Sequence, residues 1–124
     1  MKQISTENAP AAIGPYCQAA VHNGFVFTSG QIPLDPATGA IAGTTIEDQA
    51  HRVCQNLQAV LAAAGSDLTK VLKTTCFLAN MDDFAAFNTV YAQYFTGKPA
   101  RSCVAVKTLP KNVLVEVECV AIAE

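Results

Sequence analysis

Arg101 stands in the run Pro99-Ala100-Arg101-Ser102-Cys103, at the start of an apolar, strand-like stretch. A guanidinium there is costly to bury unless an anion answers it. Its planar fork matches a carboxylate with two hydrogen bonds. That carboxylate is either a substrate's or a structural partner such as Glu116 or Glu118, and the local run serves both readings equally. Glu116 and Glu118 share one face of another apolar strand-like stretch. Desolvation and mutual repulsion there raise the pKa of at least one of them. Such a carboxylate suits general acid/base work on water. It suits an interface salt bridge equally, and spacing alone does not separate the two. Tyr16 follows Gly14-Pro15, a turn that can aim its hydroxyl at a fixed point. Ser29 precedes Gly30, so its hydroxyl and nearby backbone N–H groups can cradle an anion. No histidine is placed to activate Ser29, which argues against a serine hydrolase. Cys103 also lacks an evident base, and is read as a packing or backbone contact rather than a nucleophile.

The elements that must position these residues follow from pattern. Ala19–His22 and Phe25–Thr28 flank Asn23-Gly24, the pair best suited to a type I′ hairpin turn. Apolar residues recur at helical spacing from about Ile46 to Ala64, with Thr44 and Glu47 at capping-box spacing and Gly65 just beyond. Val71 to Ala79 is β-branched and aromatic enough for a strand. A second helix is predicted from about Asp83 to Phe95, capped by Asp82 or Asn80, with Phe84, Phe87, Tyr91 and Tyr94 as a stripe read as core packing. Strands Arg101–Val106 and Val113–Ala123 close the chain, and a short extra strand fits near Gln3 to Ser5.

The order is β-β-α-β-α-β-β, a single α+β domain over 1–124 with a sheet and two helices packed on one face. Both faces of Val113–Ala123 are largely apolar, so both should be buried. Two helices cover only one face, and a partner subunit is the economical cover for the other.

Composition points the same way. The 124 residues are 51% hydrophobic and only 15% charged, so part of the surface is expected to be buried by another subunit. A net charge of −2 gives no electrostatic footprint for nucleic acid. Four of the eight cationic residues nevertheless fall between Lys98 and Lys111, a cluster that either attracts a small anion or forms a solvated loop. Five cysteines without CxxC spacing read as free thiols of a reducing, cytoplasmic compartment. With only His22 and His51 available, metal binding is not expected. Neither a secretory signal nor a membrane span is expected.

Four runs carry a resemblance. Asn8-Ala9-Pro10-Ala11-Ala12-Ile13-Gly14-Pro15-Tyr16 and Thr28-Ser29-Gly30-Gln31-Ile32-Pro33 resemble the first two motifs of the Rid (YjgF) family. Lys73-Thr74-Thr75 through Asn88 is similar to its middle. Pro99-Ala100-Arg101-Ser102, Leu109-Pro110-Lys111 and Val115-Glu116-Val117-Glu118 resemble its C-terminal signature. The motifs lie in register over nearly the whole chain. Only the connection Phe95-Thr96-Gly97-Lys98-Pro99 is shorter than in some relatives, which leaves the shape of one cleft wall open.

The resemblance implies a chorismate-mutase-like α+β sandwich and a homotrimer with clefts between subunits. It implies hydrolysis of 2-iminobutanoate and 2-iminopropanoate to 2-keto acids, as metabolite damage control, with no cofactor and no metal. Carried over residue by residue, Arg101 would bind the substrate carboxylate, and Ser29, Cys103 through its backbone, and Asn88 would line the cleft. Glu116 would activate water, with Tyr16 assisting proton transfer. The alternatives are a non-catalytic 2-keto acid binder or sensor, a chaperone-like role for the apolar surface, a chorismate mutase, or an endoribonuclease or translation inhibitor. The acidic balance and the lack of a histidine pair argue against the last, and a lone clear arginine against the mutase.

Overall fold

The structure is a computed structural model that describes residues 1–123; Glu124, the final residue of the expected domain, lies outside it. Six strands form one sheet: β1 (Lys2–Ile4), β2 (Ala19–His22), β3 (Phe25–Thr28), β4 (Val71–Leu78), β5 (Ala100–Ala105) and β6 (Val115–Ile122). Two helices, α1 (Ile46–Ala63) and α2 (Phe84–Tyr94), complete it. The spatial order is β1-β2-β3-β6-β4-β5. Every pairing is antiparallel except β4–β5, which are parallel and joined through α2. This crossover sets α2 beside the edge strand β5.

The hairpin forms as expected, with Asn23 and Gly24 both at positive φ (50° and 78°), as a type I′ turn requires. The cap of α1 differs by one residue. Thr45, not Thr44, accepts the amide of Asp48 on its side chain, so the Thr44–Glu47 capping box does not form. Thr45 is the residue that turns from extended to helical backbone, and only that position aims its hydroxyl at the third helical N–H. Asn80 caps a 3-10 turn (Met81–Asp83) that leads into α2.

Alternation along β6 divides the molecule. Val115, Val117, Cys119 and Ala121 are buried against the helices. Glu116, Val120 and Ile122 are only half-covered and Glu118 is exposed. Phe25 and Phe27, paired with Ile122 and Val120, continue that open apolar face. In the single chain both helices pack on one side, so two helices cover only one face of β6, as expected, and the other face stays open.

The α2 stripe is also only partly core. Phe87, Val90 and Tyr91 are buried, while Phe84 and Tyr94 are half-covered. Tyr94 instead shares a hydrogen bond with His51 Nδ1 (2.9 Å).

Candidate active site

Register determines where each candidate side chain points. Arg101 pairs with Thr74 in the parallel β4–β5 ladder, and Thr74 is fully buried beneath α2, bonded to the Tyr91 hydroxyl (2.7 Å). Arg101 therefore lies on the helix face of the sheet, at its edge. Its guanidinium rests over the rings of Tyr91 (4.8 Å) and Phe84 (5.3 Å) and donates from Nη1 to Asn88 Oδ1 (2.7 Å). Its hydrogen-bond partner is thus an amide of α2 rather than Glu116 or Glu118. Two stacked rings and a neutral acceptor fix the fork without neutralising it, which leaves the positive charge for a further anion.

Glu116 faces the other way. It pairs with Phe77 and alternates with fully buried Val115 and Val117, so it projects from the open face. Burial pushes its carboxyl above the ordinary carboxylate value, and the neighbouring Glu118 charge raises it further.

Gln31 forms a two-way backbone bridge with Val117 (2.8 and 3.1 Å), which lays Gly30 against Glu116. A Cβ at position 30 would overlap the Glu116 carboxylate. Glycine there lets the carboxylate lie close to the backbone, and a larger residue would make the Glu116 side chain shift; no unusual φ is involved. Tyr16 and Gly30 line a small cavity of about 290 Å³ together with Ile13, Ile32 and Lys111. The Tyr16 side chain is half exposed (53%), its hydroxyl accepting only a long bond from the Ile13 amide (3.4 Å). It is therefore available to a ligand. The Ser29 hydroxyl donates to the Cys17 carbonyl (2.6 Å). Its single proton is committed there, so it serves the loop first and can only accept from a ligand while that bond holds.

Cys103 pairs with Cys76 across β4–β5, and both are free thiols. Burial pushes the Cys103 thiol up, outweighing the lowering effect of Arg101. A thiol held protonated is a poor nucleophile. If the chain has the imine hydrolysis that the family resemblance implies, the Cys103→Ser variant should thus keep most of it. A covalent substrate adduct at Cys103 in mass spectra, or a folded but inactive serine variant, would exclude attack by water.

The site residues therefore fall into two groups. Tyr16, Ser29 and Glu116 gather around Gly30 and the open face. Arg101, Asn88 and Cys103 gather on the helix side of the β5 edge. One chain does not bring the two together. Sequence reasoning missed Phe84 and Tyr91 as the cradle of Arg101, and missed Gly30 as the seat of Glu116. The spacing of Phe84, Asn88 and Tyr91, at i, i+4 and i+7 on one helix face, was the available signal.

A profile of the family described as Endoribonuclease L-PSP matches residues 6–123. The chain belongs to that family, the Rid (YjgF) proteins, and has their chorismate-mutase-like fold. It is 47% identical to the 2-iminobutanoate/2-iminopropanoate deaminase of Salmonella typhimurium, over 98% of this chain and 97% of that protein. It is 52% identical, over 98% of this chain and 97% of the relative, to a Lactococcus lactis protein bearing the regulator name AldR. Among solved structures, E. coli TdcF with bound serine superposes with a TM-score of 0.95 at 43% identity, covering 100% of both chains. No helix among the described residues is long and apolar enough to cross a membrane.

Proposed function

We propose that the protein is a cytoplasmic hydrolytic deaminase that converts 2-imino acids, including 2-iminobutanoate and 2-iminopropanoate, to 2-keto acids and ammonia. On this reading the working unit is a homotrimer with its sites between subunits. The observation that carries it is the division of the site. A carboxylate clamp, Arg101, lies on one side of the sheet, and a carboxylate of raised pKa, Glu116, lies on the other. Each supplies half of one chemistry, and a second copy can bring the β5 edge of one chain to the open face of another. That contact would also cover Phe25 and Phe27, which are 42% and 51% exposed. The deaminase among its relatives and the serine bound by TdcF favour a small amino-acid-like ligand.

The reaction needs little beyond positioning. Arg101 holds the substrate carboxylate in a bidentate pair. The protonated imine carbon is already electrophilic. Glu116 takes a proton from a water whose oxygen adds to that carbon, giving a carbinolamine. The proton passes to the nitrogen, with Tyr16 assisting, and the C–N bond breaks. Ammonia departs as Glu116, again ionised, takes the hydroxyl proton, and the carbinol oxygen becomes the keto oxygen. No metal or organic cofactor enters this sequence.

The test is an imine generated in situ, with ammonia and keto acid release followed, and the same preparation assayed for RNA cleavage. Imine hydrolysis that rises with enzyme is expected. Binding of 2-keto acids without turnover would leave a binder or sensor instead. Subunit mixing tests the shared site. Arg101→Ala and Glu116→Gln trimers, each inactive, are mixed, dissociated and reassembled. Random pairing restores about a quarter of the clefts, because each cleft draws its clamp and its base from different chains. Absence of recovery, or a monomeric mass in sedimentation equilibrium at micromolar concentration, would refute the intersubunit arrangement.

A further inference from the structure

Two of the four cations clustered between Lys98 and Lys111 line one cavity, and the reaction above gives a role to Arg101 but none to Lys98. Lys98 and Arg101 line a cavity of about 510 Å³ on the helix side of β5, with Tyr91, Ala92, Phe95 and Pro99 among its other walls. Arg101 is held there by Asn88 and the Tyr91 ring. Lys98 sits in the short connection that carries the chain from α2 into β5, and there it adopts a left-handed backbone (φ 52°). Its amide donates to the Phe95 carbonyl (3.2 Å), which holds the turn.

A glycine would adopt that conformation freely. A lysine does so at a cost of roughly 1 kcal/mol, so this turn carries its cation at a strained position. The protein as a whole is acidic, with a net charge of −2. A multiply charged anion is repelled by the average surface and needs a local pair of cations to bind. A short alkyl side chain, by contrast, gains nothing from a second ammonium.

We propose that this cavity recognises the distal carboxylate of a dicarboxylic 2-imino or 2-keto acid, with Lys98 as the specificity residue. The inference rests on Arg101 binding the first carboxylate. The apolar walls accommodate the methylenes between the two charges. Lys98 discriminates through KM rather than through the chemical step, because it lies beyond the reacting carbon.

The test uses stable 2-keto acids on the assembled protein, by calorimetry, with 2-oxobutanoate, 2-oxoglutarate and phenylpyruvate as probes. The parent should bind 2-oxoglutarate about fivefold more tightly than 2-oxobutanoate, the size expected of one partly solvated charge pair. Lys98→Met should bring that ratio to about one, and Lys98→Arg should retain it. Raising the salt should weaken the preference as it screens the pair. Equal affinities in the parent, or a preference unchanged in Lys98→Met, would overturn the proposal. Tightest binding of phenylpyruvate would also overturn it, because the cavity would then be an aryl site. Failure of the underlying reading shows separately: 2-oxobutanoate would then bind Arg101→Ala as well as it binds the parent.

Discussion

Glu116→Gln is expected to lower kcat for imine hydrolysis by on the order of a hundredfold, the usual contribution of a positioned general base. The amide keeps the shape of the side chain and its seat against Gly30, but cannot accept a proton. Stability should move the other way. The folded protein holds the Glu116 carboxyl above its ordinary pKa, through burial and the Glu118 charge. A group raised in this way contributes stability that is full below its unfolded pKa and is lost as pH rises through the folded value. At neutral pH the ionised carboxylate therefore opposes folding, and the glutamine variant should melt at or above the parent's temperature. The parent's kcat/KM should fall on the acid side, at a pH above that of an ordinary carboxylate, as the base becomes protonated. Removing the neighbouring charge with Glu118→Gln should move that limb to lower pH with little change in the plateau, and should act otherwise on trimer stability. Two residues along a strand separate side chains by about 6–7 Å, too far for both carboxylates to touch one water. Steady-state profiles of both variants, with trimer mass checked, decide the assignment. A silent Glu116→Gln with a dead Glu118→Gln would show that the other carboxylate is the base. Two fully active variants would mean that positioning by Arg101 carries the reaction without a side-chain base.

On the proposed function, Arg101→Ala should nearly abolish imine hydrolysis while the proposed trimer persists. Truncating one partner of a desolvated, hydrogen-bonded charge pair costs about 2–5 kcal/mol, or roughly 30-fold and more in kcat/KM. Arg101→Lys should recover little. Lysine lacks the planar fork, so it can neither pair in a bidentate way nor reproduce the guanidinium's contacts with Phe84 and Tyr91 while bonding Asn88. Near-parental kcat/KM in the alanine variant would remove Arg101 from the carboxylate-binding role.

Local pattern sufficed for everything that short-range physics dictates. The Asn23-Gly24 turn, the span of α1 and the alternation of β6 follow from backbone propensity and from periods of 3.6 and 2 residues. The four motifs in register placed the chain in its family, and the types of Arg101, Glu116 and Tyr16 indicated which chemistry to look for. The tertiary structure decided what depends on contacts between distant segments. Arg101 faces the helices because the parallel ladder sets it opposite buried Thr74, and a one-residue slip would have sent it to the open face. Glu116 is desolvated against a glycine of a loop that reaches β6 only through the Gln31–Val117 bridge. Ser29 gives its proton to Cys17, a choice its own flanking residues do not announce. The shift of the α1 cap from Thr44 to Thr45 has the same origin. Two adjacent threonines carry the same chemistry, and the packed helix fixes which of them stands at the point where the backbone turns helical. Residue type determined what each side chain can do; strand register and loop closure decided on which side of the sheet it does it.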